Sequence, residues 1–350
     1  MKKYLVTGGA GFIGSNFIKY MLKKHSGAFI INFDKLTYAG NLENLKDIEK
    51  HERYVFIQGD ICDKNSVESV FQKHDINYVV NFAAESHVDR SISDPDIFAK
   101  TNIMGTLNLL NISMAHWKTG SDEYKNNVKF LQVSTDEVYG SLGAEGLFSE
   151  TTPLDPHSPY SASKTSSDLF VKAYADTYKF PVNITRCSNN YGPYQFPEKL
   201  IPLMINNALQ HKELPVYGDG LQIRDWLYVD DHCKAIDMVI DGGKLGEVYN
   251  IGGHNERTNI FIVKTVIDYI NKNVDNTVGE HLIKYVTDRK GHDRRYGIDP
   301  TKIKDELGWF PETSFEVGIV KTIEWYLSNK NWLANVTSGA YKDYYDRMYK

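Results

Sequence analysis

TGGAGFIG, residues 7–14, separates a short apolar segment from a longer stretch with helical spacing. Its glycines Gly8, Gly11 and Gly14 form the pattern GxxGxxG. Glycine permits a tight turn and lets backbone N–H groups at the start of a helix approach a pyrophosphate, whose charge the helix dipole favours. The stretch therefore predicts a strand, a turn and a helix that together bind a dinucleotide.

Short apolar segments alternate with longer helical ones through the first half of the chain. The predicted strands cover residues 3–7, 28–33, 54–58, 78–82, 128–134 and 182–185. The predicted helices cover residues 12–24, 66–74, 98–117 and 161–178. This order is typical of a parallel sheet with helices on both faces. The predicted fold class is therefore α/β, with a Rossmann-like doubly wound parallel sheet.

The pattern becomes less regular after Arg186, where Gly192, Pro193 and Pro197 interrupt it. We predict an NAD-binding Rossmann domain over residues 1–186. Residues 187–350 are predicted to form mainly a smaller, partly helical substrate domain. Segments near 228–251 are expected to return to the first sheet.

Composition favours a globular protein that acts on a small molecule. The chain has 350 residues, of which 41% are hydrophobic and 24% charged, enough for a proper core. A net charge of -5 without a long basic run argues against nucleic acid or an anionic membrane as partner. Three scattered cysteines support neither a disulfide framework nor a zinc site. A strand begins near the first residue and no apolar stretch reaches about 20 residues, so we predict a cytoplasmic protein.

The second predicted strand ends at Asp34, a position that selects between dinucleotides. A carboxylate there accepts hydrogen bonds from a ribose diol and repels a 2′-phosphate, so NAD is preferred over NADP. Asp60 and residues 83–85 follow two further strands. Sheets of this type bind ligands at the carboxyl ends of their strands.

Tyr160 and Lys164 are one turn apart near the start of a predicted helix and share a face. A tyrosine phenol has a reference pKa of about 10, and lowering it by about 3 units requires roughly 4 kcal/mol. We expect the Lys164 ammonium and a bound nicotinamide cation to supply this. Tyr160 is thus a candidate base.

Two adjacent carboxylates, Asp136 and Glu137, follow Thr135 where the fifth predicted strand ends. In a regular strand they would face opposite sides of the sheet. Both serve one substrate only if the chain is already turning there. Because the chain also has a predicted NAD site and a candidate tyrosine base, the triplet indicates catalytic residues rather than a polar strand end.

The chain resembles the extended short-chain dehydrogenase/reductase family over nearly its whole length, through TGGAGFIG, the Tyr160 and Lys164 pair, and residues 189–193. Within that family it is similar to the nucleotide-sugar 4,6-dehydratases. The matching blocks are AAESHVDRSI at 83–92, STDEVYG at 134–140, YSASK at 160–164, NNYGPYQFPEKLIP at 189–202, IRDWLYVDDH at 223–232 and GHDRRY at 291–296. The 4-epimerases resemble the chain in the first and third of these blocks, but carry small hydroxyl or apolar residues in place of Asp136 and Glu137.

The resemblance implies a mechanism in which NAD is retained and regenerated at each turnover. Tyr160 acts on the sugar 4-hydroxyl with Lys164 beside it, and Thr135 holds the 4-oxygen. Glu137 removes the C5 proton, and Asp136 donates a proton to the departing C6 hydroxyl. Close carboxylates favour opposite protonation states, which are best treated as a property of the pair.

The same resemblance implies the binding residues. Those expected to bind NAD are Gly8, Gly11, Phe12, Ile13, Gly14, Asp34, Lys35, Leu36, Thr37, Asp60, Ile61, Phe82, Ala83, Ala84, Ser86, Thr101, Tyr160, Lys164 and Asn190. Those expected to bind the nucleotide-diphosphate sugar are Ser86, Thr135, Asn189, Lys199, Leu200, Pro215, Tyr217, Arg224, Asn259, Arg289 and His292. Arg224 and Arg289 are candidates for the diphosphate because the guanidinium fork pairs with phosphate oxygens; a surface salt bridge is the alternative for each. Tyr217 is a candidate for stacking on the base, and no metal site is expected.

Three functions remain open from the sequence. The favoured one is a lyase acting on a nucleotide-linked glucose, with dTDP-glucose expected first and UDP, CDP or GDP sugars behind it. The second is a nucleotide-sugar 4-epimerase, which needs Tyr160 but not Glu137. The third is a catalytically idle dinucleotide sensor, which has no use for a phenolate base. The resemblance also implies a homodimer formed through the helices at 98–117 and 161–178.

Overall fold

A computed structural model describes residues 1–337, and within them the main element is a seven-stranded parallel sheet. Its strand order is β10-β6-β5-β4-β1-β2-β3. The strands are β1 (Lys2–Thr7), β2 (Ala28–Asp34), β3 (Tyr54–Gln58), β4 (Tyr78–Asn81), β5 (Lys129–Thr135), β6 (Val182–Cys187), β7 (Asn189–Tyr191), β8 (Leu214–Tyr217), β9 (Ile223–Tyr228), β10 (Val248–Ile251), β11 (Glu256–Thr258) and β12 (Ile283–Val286). The predicted α/β fold class is confirmed, and the six predicted strands lie within two residues of their expected bounds.

The helices of the described residues surround this sheet and build a second layer beside it. They are α1 (Phe12–Lys24), α2 (Lys64–Lys73), α3 (Val88–Ser93), α4 (Pro95–Phe98), α5 (Thr106–Trp117), α6 (Pro159–Tyr178), α7 (Leu200–Ala208), α8 (Val229–Gly242), α9 (Asn259–Asn273), α10 (Thr301–Leu307), α11 (Phe315–Ser328) and α12 (Lys330–Val336). The 3-10 helices are Leu42–Ile48, Asp136–Tyr139 and Glu280–Leu282, and Ala99–Gly105 is a π-helix. The helix predicted over 98–117 is therefore composite: its first half is the π-helix and its second half is α5.

Alternation along β1 explains why both faces of the sheet are covered. Val6 packs on one side with α1 and α8, whereas its neighbour Leu5 packs on the other with α2, α5 and α6. Successive side chains of a strand point to opposite faces, so an apolar run such as YLV needs a helical layer on each side. The carboxyl ends of the strands are left free to line a cleft.

The later part of the chain contributes to both layers. Strand β10 pairs in parallel with β6 and so extends the large sheet, while α8 packs beside α1. A separate apolar core joins α7, α9, α11 and α12 to the three-stranded sheet β11-β9-β7 and the pair β12-β8. The division at residue 186 stays a prediction, and residues 338–350 of the predicted second domain lie outside the described residues. In the described part, no helix is long and apolar enough to cross a membrane.

Candidate active site

The glycine turn between β1 and α1 brings backbone atoms closer than a side chain would permit. Gly8 has φ +67°, and a Cβ there would lie 2.7 Å from the Ala83 nitrogen. A Cβ on Gly14 would lie 2.4 Å from the Gly8 carbonyl oxygen. Helix α1 is N-capped by Gly11 without a side-chain hydrogen bond, so its first amides keep their donors for an anion. This cradle fits a dinucleotide pyrophosphate.

Asp34 ties this turn to the loop after β2. Its Oδ2 accepts a hydrogen bond from the Ala10 N–H at 2.9 Å, and its Oδ1 accepts one from the Leu36 N–H at 2.8 Å. Burial raises the pKa of the carboxyl, and the two backbone donors oppose that rise. Each carboxylate oxygen has a second lone pair, so the donors orient the group and leave it able to accept from a ribose diol.

A long cleft runs over the carboxyl ends of the strands and contains nearly all residues predicted to bind the cofactor. The residues that line it are Gly8, Gly11, Phe12, Ile13, Gly14, Asp34, Lys35, Thr37, Asp60, Ile61, Phe82, Ala83, Ala84, Ser86, Thr101, Tyr160, Lys164 and Asn190. Leu36 does not line the cleft. Its backbone N–H donates a hydrogen bond to Asp34 instead. Lys35 and Asp60 form an ion pair at 2.8 Å between two strand ends.

The chain turns at the end of β5, as adjacent carboxylates serving one ligand require. Strand β5 ends at Thr135, and a 3-10 helix begins at Asp136. The Thr135 hydroxyl accepts a hydrogen bond from the Glu137 N–H at 3.3 Å and caps this helix. Asp136 and Glu137 consequently both line the cleft, together with Thr135.

The two carboxyl groups are electrostatically unequal. Asp136 is 2% exposed, its Oδ1 lies 3.2 Å from the Thr135 hydroxyl, and its Oδ2 has no hydrogen-bond partner in the described residues. Burial, and then Glu137, hold the pKa of Asp136 well above its ordinary value. Burial also raises the pKa of Glu137, but Arg289, Lys199 and Arg224 all oppose that rise. Burial and Glu137 thus favour the neutral form of Asp136, whereas the three cations favour the carboxylate form of Glu137.

Tyr160 and Lys164 lie on the first turns of α6, which starts with a capping box between Ser158 and Ser161. Lys164 donates from Nζ to the Val133 carbonyl at 2.8 Å. Burial and Glu137 raise the pKa of Tyr160 well above its ordinary value, while the Thr135 hydrogen bond lowers it. The expectation that Lys164 and a bound nicotinamide cation lower this pKa stays a prediction. Burial and Glu137 act in the opposite direction.

A second cleft adjoins the first and collects most residues predicted to bind the sugar nucleotide. It is lined by Asn189, Lys199, Leu200, Pro215, Tyr217, Arg224, Asn259, Arg289 and His292. Ser86 and Thr135, also expected to bind the substrate, line the first cleft. The two clefts share Glu137, Asn189, Asn190, Gln195, Glu198 and Lys199. Glu137 thus stands where they join.

Arg224 and Arg289 are placed to hold an anion in this second cleft. Arg224 is 4% exposed, donates to the carbonyls of Ile223 and Asp293, and lies 4.3 Å from the centre of the Tyr296 ring. Nε of Arg289 is buried and has no hydrogen-bond partner in the part of the chain that the structure describes. Among residues 1–337 neither guanidinium pairs with a carboxylate, so the salt-bridge alternative is wrong. Two neighbouring guanidinium groups, one buried and one partly buried, with no carboxylate within salt-bridge distance in the described residues, fit a diphosphate.

Tyr217 and His292 form part of the wall of the same cleft. The Tyr217 hydroxyl donates to Asp89 Oδ2 at 3.3 Å, and its ring meets the His292 ring edge-on. Burial, and then Arg289, lower the pKa of His292 to about 4, so its ring is neutral near pH 7. In the described residues, no three or more His, Cys, Asp and Glu side chains come together as a metal site would require.

Sequence reasoning missed Glu198, which lines both clefts and is 6% exposed. Its carboxylate lies inside the block NNYGPYQFPEKLIP, between Pro197 and Lys199. Glu198 is the one acidic residue of that block, and this was the available signal. His87 and Gln195 also line the second cleft and were not assigned.

Comparison with known proteins agrees with this geometry. The family model described as GDP-mannose 4,6 dehydratase matches residues 5–322. A dTDP-glucose 4,6-dehydratase from Salmonella typhimurium is 51% identical, with 99% of each chain covered. The crystal structure of the Bacillus anthracis dTDP-glucose 4,6-dehydratase in complex with NAD has a TM-score of 0.86 and 50% identity, and covers 96% of this chain and 100% of that one. The DesIV enzyme of Streptomyces venezuelae, with NAD and dTDP bound, has a TM-score of 0.88 and 43% identity, covering 95% of this chain and 99% of that one.

Proposed function

This chain belongs to the nucleotide-sugar 4,6-dehydratase family of the extended short-chain dehydrogenase/reductases, and we propose that it converts dTDP-glucose to its 4-keto-6-deoxy form with NAD as retained cofactor. The observation that carries this function is the pair Asp136 and Glu137 in the same cleft as Tyr160. Burial and the neighbouring carboxylate raise the pKa of Asp136 and favour its neutral form, while three cations favour the carboxylate form of Glu137. An elimination of water needs one acid and one base, and this pair supplies both.

Each residue of the site has a role that its position supports. Tyr160 takes the proton of the sugar 4-hydroxyl, and the Thr135 hydroxyl holds the 4-oxygen. Glu137 removes the C5 proton once a 4-ketone has made it acidic. Asp136 gives its proton to the C6 oxygen as water leaves, and Arg224 and Arg289 hold the diphosphate.

NAD, when bound, supplies a hydride acceptor at C4 and a hydride donor at C6, so it ends each turnover in its starting form. The chain provides the other requirements for this chemistry. The amides of the glycine turn and α1 bind the pyrophosphate, and Asp34 binds the ribose. Burial of Tyr160 acts against a phenolate, so Lys164 in the same cleft and a bound nicotinamide cation are the groups expected to stabilise one.

The assay that tests this function uses purified protein with dTDP-, UDP-, CDP- and GDP-glucose. We expect a product lighter by one water, formed fastest from dTDP-glucose. An epimer of unchanged mass would assign a 4-epimerase instead, and binding of NAD without turnover would assign a sensor. Faster conversion of UDP-glucose would retain the reaction and change the substrate, since discrimination of one methyl group is worth only about 1 to 3 kcal/mol.

A homodimer through α5, α6 and the preceding π-helix is part of the proposal. Met104, Leu169 and Phe170 expose 57%, 55% and 39% of their surface on these neighbouring helices. Large apolar side chains on adjacent elements mark an interaction surface. Sedimentation of wild type and L169E tests this, and a monomeric wild type would contradict it. We also propose a cytoplasmic location, which the three free cysteines support.

A further inference from the structure

Two segments that line the cofactor cleft come from distant parts of the chain and touch. The first is the loop after β2, which contributes Lys35, Thr37, Ala39 and Gly40 to the cleft. The second runs from Pro193 to Lys199 between β7 and α7, and contributes Gln195, Phe196, Glu198 and Lys199. We call this second segment the strap. Their contact is made by Tyr38 of the loop and Glu198 of the strap.

Tyr38 is held on three sides. Its hydroxyl donates to Glu198 Oε1 at 3.1 Å. The Arg90 guanidinium lies 3.7 Å from the centre of its ring, and Phe196 of the strap meets the same ring edge-on at 5.8 Å. Cation–π and edge-to-face contacts fix the plane of an aromatic ring, so the hydroxyl is aimed at the strap.

The strap is anchored at both ends, and the Tyr38 contact lies beside the second anchor, because Glu198 directly precedes Lys199. At its start, Asn16 of α1 donates to the Pro193 carbonyl at 3.0 Å, and Lys19 donates to the Tyr194 hydroxyl at 2.6 Å. At its end, Lys199 donates to the Ser86 carbonyl at 3.0 Å. The strap therefore reaches from the helix that carries the glycine turn to the segment after β4.

Burying the Glu198 carboxylate costs desolvation free energy that packing alone does not offset. Burial raises its pKa to about 7, while Lys199 and the Tyr38 hydroxyl oppose that rise. Its Oε2 has no hydrogen-bond partner in the described residues. A buried carboxylate with one free oxygen recovers hydration when the contact opens. Rehydration of the Glu198 carboxylate therefore offsets part of the free energy lost when its hydrogen bond to Tyr38 breaks. Such a contact can open and close reversibly.

We propose that the Tyr38–Glu198 contact is a latch that closes the strap over bound NAD and slows its release. Tyr38 and Glu198 are positioning residues for cofactor retention. This inference rests on the proposed function, because it takes NAD as the occupant of the cleft. It explains how a cofactor that ends each turnover in its starting form remains bound between turnovers.

The test measures NAD release from purified wild type, Y38F and Y249F in the absence of sugar nucleotide. Bound NAD is counted after denaturation, and the dissociation rate is followed by exchange with isotopically labelled NAD. Y38F keeps the ring and removes the hydroxyl. Y249F is a matched control, because Tyr249 donates to Glu306 Oε2 at 2.8 Å and lines neither cleft. We expect Y38F to release NAD about tenfold faster than wild type, which corresponds to about 1.4 kcal/mol, and Y249F to match wild type.

The variant E198Q and the double variant Y38F/E198Q distinguish a latch from a general loosening. If the two residues act through one hydrogen bond, E198Q adds little to Y38F, so the double variant releases NAD at the Y38F rate. Release from Y38F at the wild-type rate would overturn the latch. Multiplied effects in the double variant would also overturn it. A wild type that binds no NAD at all would instead refute the cofactor of the proposed function.

Discussion

The Thr135 hydroxyl accepts the Glu137 backbone N–H at 3.3 Å, and this contact ends strand β5 and starts the 3-10 helix that follows. Without that turn, Asp136 and Glu137 would point to opposite faces of the sheet. The same hydroxyl also lies 3.2 Å from Asp136 Oδ1. One small side chain thus sets the backbone of both carboxylates and contacts one of them.

Replacing Thr135 by serine or valine separates the hydroxyl from the shape of the side chain. We expect T135S to keep turnover within a few-fold of wild type. T135V should lose about 100- to 1,000-fold in kcat, because a hydrogen bond to the reacting oxygen is worth about 2.7 to 4 kcal/mol. It should also lose about 1 kcal/mol of stability with the cap. Initial rates and thermal unfolding measure these effects. Equal kcat for the two variants would show that the Thr135 hydroxyl takes no part in the reaction.

The amide variants E137Q and D136N test the assignment of base and acid. We expect E137Q to lose exchange of the C5 hydrogen with deuterated water, while D136N retains that exchange and loses expulsion of the C6 hydroxyl. Dehydration should fall by about 10²- to 10⁴-fold in each, the usual contribution of a positioned acid or base. Oxidation at C4, read from absorbance of the reduced cofactor in a single turnover, should persist. Exchange at the wild-type rate in E137Q would assign the base elsewhere.

The raised pKa of Asp136 should make the free energy of unfolding depend on pH. Burial raises its folded pKa above the unfolded value of about 3.9, so the folded state binds more protons between those two pKa values. Its contribution to stability is full below the unfolded pKa and is lost as pH rises toward the folded pKa. The amide in D136N does not ionise, so this variant lacks the pH-dependent destabilisation of wild type. We expect the unfolding free energy of D136N minus that of wild type to increase from pH 4 to pH 8. Denaturant titrations at several pH values measure it. A constant difference across that range would mean that Asp136 is ionised in the fold.

Arg289 should act on substrate affinity, since its Nε is buried and has no hydrogen-bond partner within residues 1–337. We expect R289Q to weaken dTDP binding about 10- to 100-fold, because hydrogen bonds to charged groups contribute about 1.5 to 3 kcal/mol. R294Q is the control: Arg294 is exposed and pairs with Asp219 at 2.9 Å, and it lines neither cleft. Calorimetric titration with dTDP compares the two variants. Equal affinity for both would place the diphosphate away from Arg289.

Gly14 and Gly27 form a further matched pair for the cofactor site. A Cβ on Gly14 would lie 2.4 Å from the Gly8 carbonyl oxygen, whereas nothing lies within 4 Å of a Cβ on Gly27. We expect G14A to purify with little bound NAD and to unfold at a lower temperature, because the glycine turn must shift. G27A should retain its NAD. NAD content after denaturation and a thermal melt provide the readout, and full NAD content in G14A would show that the turn tolerates a side chain.

Much of the fold followed from local patterns. Apolar segments of strand length and the glycine stretch at residues 7–14 placed six strands within two residues of their observed bounds. Such patterns succeed because side-chain period and backbone permissiveness are properties of neighbouring residues. The helix at 98–117 was less accurate: its first half is a π-helix, Ala99–Gly105, which an apolar period does not distinguish from an α-helix.

The sequence by itself determined which chemical groups the chain carries and where most strands and helices lie, including the carboxylate pair beside a strand end. The tertiary structure alone decided the pKa values of these groups and which side chains lie next to them. It raised the pKa of Asp136 and of Tyr160, left Arg224 without a salt bridge in the described residues, and brought Tyr38 to Glu198 across 160 residues of chain. Burial and electrostatic fields depend on atoms that are close in space, and those neighbours are fixed only when the distant segments have packed.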